Sequence, residues 1–122
     1  MIGVLSRGER LDHLVAQLSA RWPEELALLL LDQEQLLNIT VAGTTKASMM
    51  SRLLARRGLT WEQTAAFGDE LSDLPLLEAA GHGVAMEDGN PALHGLADEI
   101  APGPHHGGVA QVLRRLFPTI CT

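Results

Sequence analysis

From residue 64 onward, short apolar runs alternate with helix-period segments at a nearly regular interval. "TAAF" (64–67) precedes a helical pattern from Ser72 to Ala80, "GVAM" (83–86) precedes a short helix from Pro91, and "EIA" (99–101) precedes a helical pattern from Val109 to Phe117. Strands separated by helices cannot close as hairpins, so this rhythm requires a parallel sheet with right-handed crossovers and helices packed on it. Gly81 stands where the first of these helices should stop. "APGPHHGG" (101–108) reads as loop from its proline and glycine density.

The earlier part of the chain has a different pattern. "MIGVLS" reads as a strand, and Leu11, Leu14, Val15 and Leu18 recur at helical spacing until Trp22-Pro23 ends them. "LALLLL" (26–31) and the alternating "LNITVA" then suggest two strands joined tightly through the polar "DQEQ". Residues 1–42 are therefore expected to form βαββ. After Gly43, Thr45 is a plausible N-cap for a helix carrying Met49, Met50, Leu53 and Leu54 to Arg57, with Gly58 as its stop. Met49, Met50 and Met86 are expected to fill core space.

Composition excludes several classes. With 122 residues and 46% hydrophobic content, a chain of this length removes about two thirds of its unfolded surface from water and needs no disulfide or structural metal. The longest unbroken apolar run, Leu26 to Leu31, is too short to cross a bilayer, and no signal pattern opens the chain. The lone cysteine, Cys121, fits a reducing cytoplasm. A formal net charge of −6 argues against nucleic-acid binding. The charges are sorted: no acid occurs between Gln35 and Trp61, and no Lys or Arg between Glu62 and Leu113.

Two acids fall where chemistry is expected. In an open parallel sheet, ligands bind at the carboxyl ends of strands, and Gly68-Asp69 follows "TAAF" at that place. Asp73 lies in the first turn of the next helix beside Ser72, so both carboxylates can face one crevice. Oxygen donors of this kind suit Mg²⁺, which uses one or two carboxylates and leaves other positions to water and phosphate. A helix start alone would account for Ser72 and Asp73, but not for Gly-Asp at a strand end. Lys46 is the only lysine, and at a helix start, where a cation is disfavoured, it makes sense if an anion such as phosphate binds; taken alone, it reads more simply as a solvated surface residue. His105 and His106 read as a solvated loop.

Lys46, Gly68-Asp69, Asp73, "GVAM" (83–86), "AD" (97–98) and "GGVA" (107–110) resemble, in order and spacing, the C-terminal part of phosphatases of the haloacid dehalogenase (HAD) superfamily, Cof-like branch. The resemblance covers residues 43 to about 117. It implies an α/β fold: the C-terminal half of a Rossmann-like core in residues 43–122, with a parallel sheet and flanking helices, preceded by the terminal segment of an α/β cap in residues 1–42. It implies that Lys46 neutralises the phosphate and that Asp69 is a Mg²⁺ ligand. Asp73 would support the metal shell, so that Lys46 and Asp73 belong to the catalytic machinery. Ser72 stands where the branch has a substrate-contacting Asn, and Asn90 is expected to face the site with Lys46 on the substrate side. Ala47 replaces the usual Gly, and "MEDGN" (86–90) has two acids where the branch commonly has Gly-Asn-Ala.

The family's Asp-x-Asp nucleophile motif is missing from the sequence. "LLLLDQE", with Asp32 and Glu34, lacks the continuation that follows the motif and reads as a turn between strands. Attack by a carboxylate needs that residue, so the expected activity is that of a Mg²⁺-dependent phosphate-monoester hydrolase whose nucleophile comes from elsewhere. Expected partners are a small phosphorylated metabolite and either a second copy or a chain supplying the other half. No nucleic acid or membrane is expected. The open alternative is a non-catalytic module that binds a metal or phosphate, or serves assembly.

Overall fold

The computed structural model describes residues 2–6, 11–31 and 36–119. The chain divides into two compact units, Met1–Thr44 and Thr45–Thr122. The "DQEQ" turn with Asp32 and Glu34, and also Cys121, lie outside the described residues. Among the described residues, no helix is long and apolar enough to cross a membrane.

The first unit runs β1 (Ile2–Leu5), α1 (Asp12–Arg21), β2 (Leu26–Leu31) and β3 (Leu36–Val41), the expected βαββ. Its sheet is antiparallel with β3 in the middle. The register lines up Val4, Leu37 and Leu30, and two residues away Ile2, Ile39 and Leu28. Side chains two apart share a sheet face, so this register gathers the branched residues of three strands around Leu37, which is wholly buried.

The second unit starts with α2 (Lys46–Arg57), which ends at Gly58 in the left-handed region with φ 64°. β4 (Ala65–Gly68), β5 (His82–Met86) and β6 (Glu99–Ala101) form a parallel sheet in the order β4-β5-β6. α3 (Leu74–Ala79) follows β4, and α4 (Gly108–Leu116) follows β6. β5 is covered on both faces: Ala85 packs with Ala66, Leu77 and Leu93, while Val84 and Met86 pack with Ala101 and Val112. A strand buried on both sides needs apolar residues at every position, which is why "GVAM" does not alternate. Among the described residues β4 is an outer strand.

Several expectations are corrected. The helix expected from Ser72 begins with a 3-10 turn, Leu71–Asp73, and its C-cap is Ala80 rather than Gly81. Gly81 serves another need: a Cβ there would lie 2.5 Å from the Glu62 carbonyl oxygen. The short helix from Pro91 is a single 3-10 turn, Pro91–Leu93, and a further 3-10 turn, Pro104–His106, sits inside the expected loop. Met86 is buried as expected, but Met49 and Leu53 are about half exposed on α2, where only Leu54 is buried.

At the amino ends of the strands, Glu99 ties three elements. Its carboxylate meets His82 Nε2 at 2.8 Å and accepts from the Arg115 guanidinium. Hydrogen bonds from His82 and Arg115 hold its pKa below the ordinary glutamate value. A lowered folded-state pKa gives stability that is present above the unfolded pKa and lost as pH falls through the folded value. Glu99→Gln should therefore lower the urea midpoint at neutral pH, with the gap to wild type closing as pH drops below the usual glutamate range. A gap unchanged across that range would contradict the pairing.

Candidate functional site

The position of Lys46 is set by how α2 begins. Thr45 is extended, its hydroxyl oxygen accepts from the Ser48 N–H at 3.0 Å, and the Ser48 hydroxyl oxygen accepts from the Thr45 N–H at 2.9 Å. This reciprocal cap satisfies two N–H groups that the helix cannot, and so fixes its first residue. Lys46 is that residue, set against the positive end of the helix dipole. It is stabilised there by Asp73, whose Oδ1 accepts from the Lys46 ammonium.

Asp73 is 5% exposed, the one buried charged residue among those described. Its other oxygen, Oδ2, accepts from the N–H groups of Asp69 and Glu70, both at 3.1 Å. Burial pushes the Asp73 pKa up, but the Lys46 ammonium and the two N–H donors outweigh it and hold the carboxyl below the ordinary aspartate value. One side chain thus joins the start of α2 to the carboxyl end of β4. Gly68 makes room for it: a Cβ at that position would be 2.5 Å from Asp73 Cβ.

Asp69 is exposed at the tip of β4. Its backbone is held from the other side, where its carbonyl accepts from the Asn90 N–H at 2.7 Å. The approach is close enough that a Cβ on Gly89 would be 2.8 Å from Asp69 Cα. Asp69 lines a cleft of about 290 Å³ at the carboxyl ends of β4 and β5, together with Phe67, Met86, Asp88, Pro104 and Val109.

Asp73 therefore links Lys46 to the Asp69 backbone at one end of the sheet, while Lys46 itself lies along α2 beside Met49, Met50, Leu53 and Leu76 and outside the lining of the Asp69 cleft. Ser72 is exposed on the 3-10 turn between the two aspartates. Asn90 reaches the site through its backbone, while its side-chain oxygen accepts from the Ala92 N–H at 3.0 Å and caps the next turn. His105 and His106 are exposed. Sequence reasoning missed Asp88 as a cleft residue, although the rule that selected Asp69, an acid just past a strand of a parallel sheet, applies equally to it. It also missed His94, whose Nε2 lies 3.0 Å from the Met86 carbonyl oxygen. A histidine in a turn has no pattern that announces such a partner.

Chemically, the cluster offers an ammonium group, a carboxylate that holds it, and a second carboxylate left open at the cleft. Among the described residues no three of His, Cys, Asp and Glu converge to hold a metal. Two open carboxylates, Asp69 and Asp88, line the cleft.

A family model described as haloacid dehalogenase-like hydrolase matches residues 1–113. A phosphoglycolate phosphatase of Methanothermobacter thermautotrophicus is 35% identical over 81 residues, 66% of this chain and 37% of that protein. The 5-amino-6-(5-phospho-D-ribitylamino)uracil phosphatase YitU of Bacillus subtilis is 36% identical over 81 residues, 66% of this chain and 30% of that protein. Among solved structures, a haloacid dehalogenase-like hydrolase from Bacteroides thetaiotaomicron superposes with a TM-score of 0.80 at 28% identity, covering 89% of this chain and 42% of that one. The chain spans about a third of the length of these two relatives.

The packing of Asp73 over Gly68 generates a test that needs no assay of activity. Gly68→Ala should lower stability by about 1–3 kcal/mol, the cost of forcing a methyl group into filled space. It should also shift the amide resonances of Asp69 and Glu70, whose N–H groups bond Asp73. A variant as stable as wild type, with those resonances unmoved, would show that the contact is not tight.

Proposed function

The chain belongs to the haloacid dehalogenase-like hydrolases, and from that premise we propose that it is the phosphate-holding half of a Mg²⁺-dependent phosphate-monoester phosphatase. The observation that carries this reading is the buried Asp73, which accepts from Lys46 with one oxygen and from the Asp69 and Glu70 N–H groups with the other. In this reading residues 43–122 are the C-terminal half of the core and residues 1–42 belong to a cap.

The residues present fit Mg²⁺ as a donor set. Asp69 and Asp88 are hard oxygen donors beside one cleft, and Mg²⁺ binds through one or two carboxylates, with water and phosphate completing its shell. Asp69 would hold the ion, with Asp88 next to it, while both oxygens of Asp73 already have N–H donors. When bound, Mg²⁺ supplies positive charge to the phosphoryl oxygens. Lys46 adds a point charge to bind a phosphoryl oxygen, and Asp73 tethers its ammonium near the end of β4. Ser72 offers a hydroxyl at the exposed rim. Residues 62–113, which supply the lining of the cleft, contain no Lys or Arg, so a phosphate dianion there needs a bound cation or Lys46.

Hydrolysis also needs a nucleophile, and the sequence has no Asp-x-Asp motif in a matching context. We therefore assign the attacking carboxylate to polypeptide outside this sequence. The outer edge of β4 and the half-exposed Met49 and Leu53 on α2 are where such polypeptide, or a second copy, would pack. The substrate is proposed to be a small phosphorylated metabolite and the setting cytoplasmic. The two curated relatives described above are named for different phosphate esters, so their names support the class and not one compound.

The test uses the chain alone with Mg²⁺. Inorganic phosphate should show ³¹P line broadening that Lys46→Met removes, with no turnover of p-nitrophenyl phosphate. Turnover that Asp69→Asn abolishes would refute the assignment of the nucleophile to other polypeptide. Phosphate binding untouched by Lys46→Met would refute the role of the lysine.

A further inference from the structure

We propose that His94 is a positioning residue for the metal-binding carboxylate, acting through the turn that joins the end of β5 to Asp69. The inference rests on the assignment of Asp69 as the group that holds Mg²⁺. His94 is half-buried at the end of the Pro91–Leu93 turn, and its Nε2 is 3.0 Å from the carbonyl oxygen of Met86, the last residue of β5. For that contact to be a hydrogen bond, Nε2 must carry the proton and donate.

The same Met86 carbonyl accepts from the Gly89 N–H at 3.0 Å, which closes the turn carrying Asp88. The turn has two further supports. The Glu87 N–H donates to the Ala101 carbonyl at 2.8 Å, and the Asn90 N–H donates to the Asp69 carbonyl at 2.7 Å. Gly89 is pressed against Asp69 so closely that a Cβ would be 2.8 Å from both Asp69 Cα and its carbonyl oxygen.

A continuous path thus runs from the imidazole through the Met86 carbonyl and the turn to the Asp69 backbone. His94 is its only side-chain donor to the Met86 carbonyl among the described residues. Asp73 fixes Asp69 from the α2 side; the His94 path fixes it from the β5 side. Leu93, the neighbour of His94, is wholly buried against Ala66, Leu77 and Ala85, so the imidazole is mounted on the core and not on a free loop. Removing the donor leaves the turn in place but lets the Met86 carbonyl, and with it Gly89 and Asn90, relax away from Asp69.

The test is Mn²⁺ binding to the full chain, followed by water-proton relaxation, with the Asn90 amide resonance as a second readout. His94→Phe, which keeps a ring without the donor, should weaken Mn²⁺ binding about tenfold, the lower end of what is lost when a partner of a metal ligand is removed. It should also shift the Asn90 amide. His94→Gln, whose amide nitrogen reaches about as far as Nε2, should restore both. Glu99→Gln, which loosens the opposite end of the sheet, should change neither and so separates positioning from general loss of stability. If Asp69→Asn abolishes Mn²⁺ binding while His94→Phe leaves it intact, the role of His94 is overturned and the assignment of Asp69 stands. If wild type binds no Mn²⁺, or Asp69→Asn leaves binding unchanged, that assignment falls and this inference with it.

Discussion

The arrangement depends on one buried carboxylate. Asp73 lies where burial disfavours its charge, and it stays ionised because the Lys46 ammonium and two backbone N–H groups share it. A buried charge without such partners would cost several kcal/mol. The local sequence is arranged around meeting that demand: Gly68 gives Asp73 room, the Thr45–Ser48 cap sets where Lys46 stands, and the 3-10 turn at Leu71–Asp73 brings the side chain back over the strand end. Asp69 is left with a fixed backbone and an exposed carboxylate.

Much of this was legible in the sequence, and the reasons are physical. The strand–helix alternation fixed the parallel sheet because crossovers leave no other pairing for strands so spaced. Thr45 and Gly58 marked both ends of α2 because caps and left-handed stops depend on the residue itself. Gly68-Asp69 stood out because ligand sites in such sheets follow strand ends. What stayed hidden were contacts between residues distant in sequence. Gly81 looks like a helix stop, yet its need is set by the Glu62 carbonyl, which no local pattern reveals. The sequence pattern puts Asn90 at the site but does not reveal that its N–H bonds the Asp69 carbonyl while its side-chain oxygen caps the next turn. Met49 and Leu53 have the spacing of core residues but lie half exposed, since spacing shows which side of a helix is apolar and not whether anything covers it.

The sorted charges give the second unit its chemical character. Acids dominate the carboxyl ends of its strands, and the one lysine is delivered from the preceding helix. The cleft at Asp69 is thus lined by carboxylates without a cationic side chain. At the other end of the same sheet, Glu99, His82 and Arg115 form a separate charged cluster that bears on the packing of β5, β6 and α4. The two charged clusters thus lie at opposite ends of one three-stranded sheet.

The most direct measurement of the central claim is the titration of the Asp73 side-chain carboxyl, followed by its ¹³C resonance in wild type and in Lys46→Met. The account predicts a wild-type midpoint below the ordinary aspartate value that rises when the ammonium is removed. A midpoint at the ordinary value in both proteins would contradict it, because Asp73 would then neither hold Lys46 nor link it to Asp69.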